Sequence, residues 1–453
     1  MNVQEFINNN FERFVEEWQS LIQIPSVSCQ SEHKEDMVAC AKRWKELLLQ
    51  AGVQTAEVMQ SKGNPIVFAE YKCPQPTAQT KTVLVYGHYD VMPAEPLNEW
   101  KTDPWKAEIR DGKLYARGAD DDKGQTMIQV KAFEYLAKEE KLQHNVKFII
   151  EGEEEIGSPS LEEFMTKHKD LLQADVILVS DTSMIGKQTP SLTTGLRGLA
   201  YWQIEVDGPN RDLHSGHFGG AIKNPINALC EMLAKIVDEN GRITIPHFYD
   251  KVLPIPQQER EMITQIPFDL DAYKQAIGID YVYGEQGFST LERNSCRPSF
   301  DICGIWGGYT QEGSKTVLPS KAFAKVSCRL VANQKHEEIS QLFMDYIRSI
   351  APKGVKVSIT PMHGGEAYIC PMEHPAYKAA EKGFEKAFGK KPLSARRGGS
   401  IAVIPLFEKV LGIKSILMGF GLEENAIHSP NESMDLEVWK KGIVAVSEFY
   451  EQY

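Results

Sequence analysis

Residues 82–90 read Thr82-Val-Leu-Val-Tyr-Gly-His88-Tyr-Asp90, an apolar run that leads directly into a histidine and an aspartate. Three more segments place an apolar run before an acid or a histidine: Val146-Lys-Phe-Ile-Ile-Glu151-Gly-Glu-Glu-Glu155, Val176-Ile-Leu-Val-Ser-Asp181 and Ser415-Ile-Leu-Met-Gly-Phe-Gly-Leu-Glu-Glu-Asn-Ala-Ile-His428. A fifth acidic segment, Arg117-Gly-Ala-Asp-Asp-Asp-Lys-Gly124, opens a predicted helix. Short apolar runs predict buried strands of a parallel sheet, whose carboxyl edge is where ligands bind. We therefore expect these acids and histidines at strand ends of one sheet.

The rest of the chain predicts two kinds of domain. From residue 55 to 181, strand-like runs alternate with helical patterns, which indicates an α/β fold with a mostly parallel sheet flanked by helices. Between 199 and 360, strands at 199–206, 322–330 and 355–360 combine with helices at 224–238 and 336–350 and a proline-rich irregular stretch at 245–298. That order favours an α+β unit of the split βαβ, ferredoxin-like kind. We predict one domain from 1–194 and 371–453, with 195–370 inserted into it.

The composition is that of a globular protein. With 453 residues, two domains are the default expectation, and the net charge of −12 argues against nucleic acid or an anionic membrane as a partner. The eight cysteines form no Cys-x-x-Cys pair, which is typical of reduced thiols. We find no signal-peptide pattern and no apolar stretch of membrane-spanning length, so we expect a cytoplasmic protein.

The ligand-type residues also predict a metal site. Taken singly, each has an ordinary structural explanation as a loop histidine, a helix cap or a solvated acid. Together they supply two histidines and three carboxylates, a set that favours zinc, manganese or cobalt over copper or iron–sulfur clusters. On an extended chain, neighbouring residues point in opposite directions, so in Glu151-Gly-Glu-Glu-Glu155 one glutamate could bind metal while another transfers a proton. We interpret the pattern as a two-metal hydrolase.

Several motifs resemble those of the di-metal aminoacylase/carboxypeptidase/dipeptidase family, most closely its cytosolic non-specific dipeptidase and carnosinase branch. The resemblance covers nearly the whole chain. It rests on Gly87-His-Tyr-Asp-Val91, Arg117-Gly-x-x-Asp-Asp-Lys-Gly124, Glu151-Gly-x-Glu-Glu-x-Gly-Ser158, Ser180-Asp181, His428-Ser429 and, in the inserted domain, Asp212-Leu-His-Ser-Gly-His-Phe-Gly-Gly220.

The resemblance implies a role for each residue of the centre. His88 and Asp181 would hold one metal ion, Glu155 and His428 the other, and Asp121 would bridge the two ions. Glu154 would act as general base and acid, and Asp90 would orient His88. The family also implies a cis peptide bond between Asp121 and Asp122.

The resemblance further implies that residues 195–370 form a lid and dimerisation domain on a catalytic domain. In a homodimer, His214 would reach the partner subunit's active site and polarise the scissile carbonyl. Thr316, Arg329 and His363 of the lid would bind the dipeptide substrate, and Ser400 would contact it from the catalytic domain. The expected reaction is metal-dependent hydrolysis of a dipeptide. Zinc is the expected metal ion, with manganese or cobalt as alternatives.

Two residues depart from the family pattern, and alternatives stay open. Asp120 stands where relatives commonly have a small or hydroxyl residue, and Glu153 adds a third acid, so Asp122 or Glu153 could replace an assigned neighbour. An N-acyl-amino-acid amidohydrolase shares the same metal core. A non-catalytic binding relative, or a structural α/β protein with acidic loops, is a further alternative. The sequence leaves open the side-chain preference, the native metal and whether β-alanyl or D-configured dipeptides are accepted.

Overall fold

The computed structural model describes residues Met1–Tyr453, which divide into two compact units. Unit 1 comprises Met1–Thr194, Cys370–Ala395 and Val403–Tyr453, and unit 2 comprises Gly195–Ile369 and Arg396–Ala402. The assignment of these regions as catalytic and lid/dimerisation domains stays a prediction.

The helices and strands are numbered in chain order. The helices are α1 (Val3–Ile22), α2 (Lys34–Ala51), α3 (Lys123–Lys138), α4 (Leu161–Lys167), α5 (Ser215–Phe218), α6 (Pro225–Leu233), α7 (Gln257–Thr264), α8 (Leu270–Ile277), α9 (Thr290–Ser295), α10 (His336–Ile350), α11 (Pro375–Phe388), α12 (Val403–Leu411) and α13 (Leu436–Gln452). The strands are β1 (Thr55–Met59), β2 (Ile66–Tyr71), β3 (Thr82–His88), β4 (Glu108–Arg110), β5 (Lys113–Tyr115), β6 (Asn145–Glu151), β7 (Val176–Val179), β8 (Ser191–Leu196), β9 (Gly198–Asp207), β10 (Leu213–His214), β11 (Ser299–Gly307), β12 (Val317–Leu318), β13 (Lys321–Leu330), β14 (Lys356–Gly365), β15 (Tyr368–Ile369), β16 (Leu393–Arg397), β17 (Ser415–Leu417) and β18 (Ser433–Asp435).

Unit 1 is built on a mixed sheet with the strand order β1-β2-β6-β3-β7-β17-β8. Its four central strands, β6, β3, β7 and β17, run parallel, and the strands towards either edge pair antiparallel. The central strands are buried on both faces, as expected for apolar runs covered by helices on each side. The predicted α/β fold is therefore confirmed.

The register of the sheet brings several predicted site residues to one edge. His88 pairs with Glu151 at the carboxyl ends of β3 and β6, and Asp181 lies two residues beyond β7. The expectation that all five predicted metal ligands sit at strand ends is only partly right. Asp121 precedes helix α3, and His428 lies in a loop after the 3₁₀ turn Glu423–Asn425. The chain thus supplies ligands from a helix start as well as from the sheet.

Unit 2 contains a four-stranded antiparallel sheet with the order β11-β13-β9-β14. Numbered along the chain, these strands have the order 2-3-1-4 of a ferredoxin-like split βαβ fold, with helix α6 after the first strand and α10 after the third. Strand β9 alternates buried and half-buried residues. Its buried face packs with the two helices in one core, which includes Trp202, Leu229 and Phe343. The predicted α+β class is confirmed.

Three details of unit 2 differ from the sequence-based prediction. Sequence analysis missed strand β11 because its residues do not alternate between apolar and polar, the pattern that predicts a half-buried strand. Its apolar side chains Ile302, Ile305 and Trp306 are exposed. The helix predicted to reach residue 238 ends at Leu233, because the following chain turns back through a bridge between Val237 and Ile243. The stretch predicted as irregular contains the short helices α7, α8 and α9.

None of the helices combines the length and the apolar character that crossing a membrane requires.

Candidate metal centre and active site

Two clusters of ligand-type side chains lie in unit 1. One comprises His88, Asp121 and Asp181, and the other comprises Asp121, Glu155 and His428. Within each cluster, the candidate ligand atoms lie within 4.8 Å of one another. These five residues are the ones for which the sequence predicted metal ligation, and the structure brings all of them together.

Asp121 belongs to both clusters and directs a different oxygen into each. Its Oδ1 lies 3.1 Å from Nε2 of His88, and its Oδ2 lies 3.0 Å from Nε2 of His428. The second histidine also lies 3.2 Å from Oε2 of Glu155, and Nε2 of His88 lies 3.9 Å from Oδ2 of Asp181. A carboxylate divided in this way between two nitrogen–oxygen clusters has the arrangement of a bridging ligand.

Asp90 connects the candidate metal ligands to the neighbouring backbone. Its Oδ1 lies 3.4 Å from Nδ1 of His88, and its backbone oxygen lies 3.0 Å from the same nitrogen. Its two carboxylate oxygens also accept hydrogen bonds from the backbone N–H groups of Glu154 (3.2 Å) and Glu155 (3.0 Å). Because Asp90 contacts Nδ1 of His88, the other ring nitrogen, Nε2, faces the cluster. Metal-binding histidines are usually oriented in this way. Asp90 therefore fixes both a histidine and the adjacent glutamates.

The charges of the site fit divalent cations. Burial, reinforced by the neighbouring carboxylates, raises the pKa of Asp181 well above its usual value and that of Glu154 to about 8. Burial lowers the pKa of His88, but hydrogen bonds with Asp121 and Asp90 outweigh it and raise that pKa well above its usual value. Buried carboxylates that repel one another are stabilised by a bound cation. Imidazole and carboxylate donors suit zinc, manganese or cobalt.

The three consecutive glutamates have distinct surroundings. Glu155 contacts His428, whereas the carboxylate of Glu153 accepts hydrogen bonds from the backbone N–H groups of Asn64 (3.1 Å) and Ser160 (3.2 Å). Glu154 makes no side-chain hydrogen bond or ion pair, and its carboxyl group is half-buried beside the clusters. Glu153 is thus occupied by the backbone, while Glu154 has a carboxyl group available for proton transfer.

The aspartates on either side of Asp121 hold the loop in place. Asp122 accepts hydrogen bonds from the backbone N–H of His88 (3.1 Å) and the hydroxyl of Thr126 (2.6 Å). Asp120 accepts one from the side-chain amide of Asn425 (2.8 Å). The peptide bond between Asp121 and Asp122 is cis, which confirms that prediction. Neither Asp120 nor Asp122 belongs to a cluster.

The predicted substrate-binding residues form two groups, all within unit 2. Ser400, expected in the catalytic domain, lies in the segment Arg396–Ala402 that belongs to unit 2. Arg329 donates a hydrogen bond from Nη1 to the hydroxyl of Ser400 (2.7 Å). His363 stacks on Tyr201 with the ring centres 5.1 Å apart, and burial and the charge of Arg329 lower its pKa. His214 is exposed, and its Nε2 lies 3.5 Å from the hydroxyl of Thr316. No hydrogen bond or ion pair joins the two groups.

Sequence analysis missed Glu432, a fully buried residue that organises the aspartate loop. Its Oε1 accepts hydrogen bonds from the backbone N–H groups of Asp120 (2.9 Å) and Asp121 (3.0 Å). Its Oε2 accepts from the backbone N–H of Gly118 (3.0 Å) and from Nη1 of Arg117 (2.7 Å). The only sequence signal is an acid four residues after His428, which is too common a feature to indicate this role.

The sheet and the two clusters that share Asp121 define the class of two-metal hydrolases. The sequence profile of "Peptidase family M20/M25/M40" matches residues 84–452, and the chain belongs to this family. The family prediction and the prediction of a metallopeptidase are thereby confirmed.

Individual relatives show the same similarity. The chain is 34% identical to the Cys-Gly metallodipeptidase dug1 of Schizosaccharomyces pombe, over 84% of this chain and 80% of the relative. It is 32% identical to the Beta-Ala-His dipeptidase of Homo sapiens, over 85% of this chain and 77% of the relative. The solved structure of an M20 family metallo-carboxypeptidase, Sso-CP2 from Sulfolobus solfataricus, superimposes with a TM-score of 0.88 at 31% identity, covering 97% of this chain and 99% of that one.

Replacing Glu432 by glutamine should weaken metal binding without unfolding the protein. The amide nitrogen of glutamine cannot accept hydrogen bonds, so it would face N–H donors of the aspartate loop and displace Asp121. We expect the affinity for zinc, measured by titration of the chelated protein, to fall roughly 10- to 100-fold. Glu451→Gln, at an exposed position, is the matched control and should bind zinc as the unmodified protein does. Equal affinity in both variants would contradict this role for Glu432.

Proposed function

We propose that this protein hydrolyses the peptide bond of dipeptides with the support of two divalent metal ions. The observation that carries the proposal is the pair of clusters sharing Asp121, each with one histidine and one further carboxylate. His88 and Asp181 would hold one ion, and Glu155 and His428 the other. When bound, such ions stabilise negative charge on the carbonyl oxygen and make an attacking water more acidic.

Glu154 is the proposed general base and acid. It would take a proton from the attacking water and transfer it to the nitrogen of the leaving amine. The carboxyl group of Glu154 lies beside the clusters and forms no hydrogen bond or ion pair, which leaves it available to accept and release a proton. The backbone hydrogen bonds from Glu154 and Glu155 to Asp90 would keep the base beside the ligands.

The groups of unit 2 are proposed to bind the substrate. Arg329 has no acidic partner and is hydrogen-bonded only to Ser400, so its guanidinium is available for the carboxylate of a dipeptide. His363 and Thr316 are proposed as further substrate contacts. This division assigns unit 1 as the catalytic domain and unit 2 as the lid.

We further propose a homodimer formed through unit 2. Ile302, Ile305 and Trp306 are exposed on β11, an edge strand of the unit 2 sheet. Exposed apolar residues on an edge strand, whose outer side pairs with no other strand, favour association with another chain. In such a dimer, His214 would act in the partner subunit's active site, where its exposed ring could stabilise the carbonyl oxygen.

Zinc is the proposed native metal, with manganese or cobalt as alternatives, because these ions accept mixed imidazole and carboxylate ligands. A cytoplasmic location is proposed because all eight cysteines are free, three of them exposed.

Glu154→Gln should abolish turnover while leaving metal binding intact. Glutamine keeps the size of the side chain but cannot accept the proton, so kcat should fall roughly 10²- to 10⁴-fold. Metal content measured after dialysis should stay at two ions per chain. Glu451→Gln, at an exposed position, is again the control and should keep the activity of the unmodified protein. Loss of metal from the Glu154 variant would mean that this glutamate is a ligand and not the base.

A substrate panel tests the reaction itself. Alanyl-phenylalanine and N-acetylphenylalanine carry the same carboxyl-terminal residue and differ in the group before it. We expect the dipeptide to have the higher kcat/KM by at least about tenfold, after chelation and re-addition of zinc, manganese or cobalt. Preference for the acetylated compound would favour the amidohydrolase alternative. Because one solved relative is a metallo-carboxypeptidase, a tripeptide belongs in the panel, and its faster cleavage would favour that activity.

Mixing two inactive variants tests the role of His214 across the dimer. If this histidine acts in the partner's site, a mixed dimer of His214→Ala and Glu154→Gln chains has one site with both groups. Statistical reassociation should restore about a quarter of the original activity, because half of the dimers are mixed and each has one complete site. A mixture that stays inactive after verified subunit exchange would show that His214 does not act across the interface.

A further inference from the structure

Unit 2 contains a pocket of about 300 Å³ that involves none of the residues assigned above. It lies between the chain around helices α8 and α9 and the start of strand β11. Part of its wall is apolar and includes Ile243, Ile279 and Phe300. Pockets of this volume, with apolar walls and a few placed polar groups, are typical of sites for small molecules.

Three guanidinium groups and only two carboxylates line this pocket. Arg297 is paired with Glu285 through two hydrogen bonds of 2.7 and 2.8 Å. Arg293, by contrast, donates only to the backbone oxygens of Glu285 (2.9 Å) and Tyr283 (3.4 Å) and forms no ion pair. The other carboxylate, Asp301, accepts a hydrogen bond from Ser299 and forms no ion pair.

Arg197 is the second cation of the pocket that forms no ion pair, and the charge of Asp301 only partly offsets the effects of its burial and of Arg329. Its Nε donates to the backbone oxygen of Gly398 (3.0 Å), and its Nη1 donates to the backbone oxygens of Arg293 (3.4 Å) and Arg297 (3.3 Å). Burial and the nearby charge of Arg329 lower the pKa of Arg197 to about 10. Carbonyl dipoles offset a guanidinium charge less well than a carboxylate does, so the pocket keeps an excess of positive potential.

We propose that this pocket binds a small organic carboxylate with an apolar body. The carboxylate would pair with Arg293 and Arg197, and the apolar body would lie against Ile279 and Phe300. A guanidinium that is not engaged by an acid can bind a carboxylate through two parallel hydrogen bonds. The site is distinct from the proposed substrate contact at Arg329, which does not line the pocket.

Calorimetric titration of the full-length, metal-loaded protein tests this site. Phenylacetate is the probe, with phenylacetamide as the uncharged analogue and inorganic phosphate as the anion without an apolar part. We expect phenylacetate to bind with a Kd below about 1 mM and the other two compounds to bind at least about tenfold more weakly. No binding of phenylacetate up to about 10 mM would overturn the proposal.

Three variants locate the binding. Arg293→Gln removes a cation of the pocket, and Ile279→Glu places a like charge at a partly exposed position of its wall. Each of these two variants should weaken phenylacetate binding at least about tenfold. Ile279→Glu keeps the test valid if Arg293→Gln disturbs the fold. Arg329 does not line the pocket but its charge acts on Arg197, so Arg329→Gln should weaken the affinity much less than Arg293→Gln does. If only Arg329→Gln weakens binding, phenylacetate occupies the proposed substrate site, and the pocket proposal is wrong while the proposed function stands.

Discussion

The centre of unit 1 depends on one buried carboxylate that faces two imidazoles at once. Asp121 places one oxygen 3.1 Å from His88 and the other 3.0 Å from His428. These histidines come from distant parts of the chain, one at the end of a central strand and one in a loop more than 300 residues later. Because each oxygen is directed to a different cluster, a small rotation of the aspartate would impair both clusters. The surrounding structure must therefore fix its backbone.

Other acids of the site fix that backbone. Asp90, Asp122 and Glu432 each accept hydrogen bonds from backbone N–H groups of segments that carry candidate ligands. Glu153 accepts two more, from the backbone N–H groups of Asn64 and Ser160. Buried carboxylates are stabilised by such bonds. The acids of the centre thus divide into those that face the clusters and those that hold the loops. Carboxylates are therefore dense at this site because some face the clusters and others hold the loops. For this reason only Asp121 of residues 120–122 and only Glu155 of residues 153–155 belong to a cluster.

This division also explains how far the sequence could predict the site. Apolar runs ending in His88, Glu151 and Asp181 gave the strands and their common edge, because burial of a parallel sheet leaves a clear pattern. The different roles of Glu153 and Glu154 could be predicted only from the family resemblance, because nothing in the local sequence distinguishes two adjacent glutamates. Sequence analysis missed Glu432 because three of its hydrogen-bond donors are backbone N–H groups. Almost every residue carries such a group, so the sequence does not mark these partners. Strand β11 was missed for the opposite reason: its apolar residues face solvent and break the expected alternation.

The metal centre alone does not select a dipeptide. An amide bond of an acylated amino acid, of a dipeptide and of a longer peptide would present the same carbonyl and nitrogen to the proposed base Glu154 and to ions held by the two clusters. Discrimination must come from groups that bind the ends of the substrate, because hydrogen-bonding sites left unpaired by the wrong substrate carry the energetic difference. In this chain the candidates for that role, Arg329 with Ser400 and His214 with Thr316, all belong to unit 2. If these groups bind the substrate as proposed, changes in unit 2 would alter the substrate while the clusters of unit 1 stay the same.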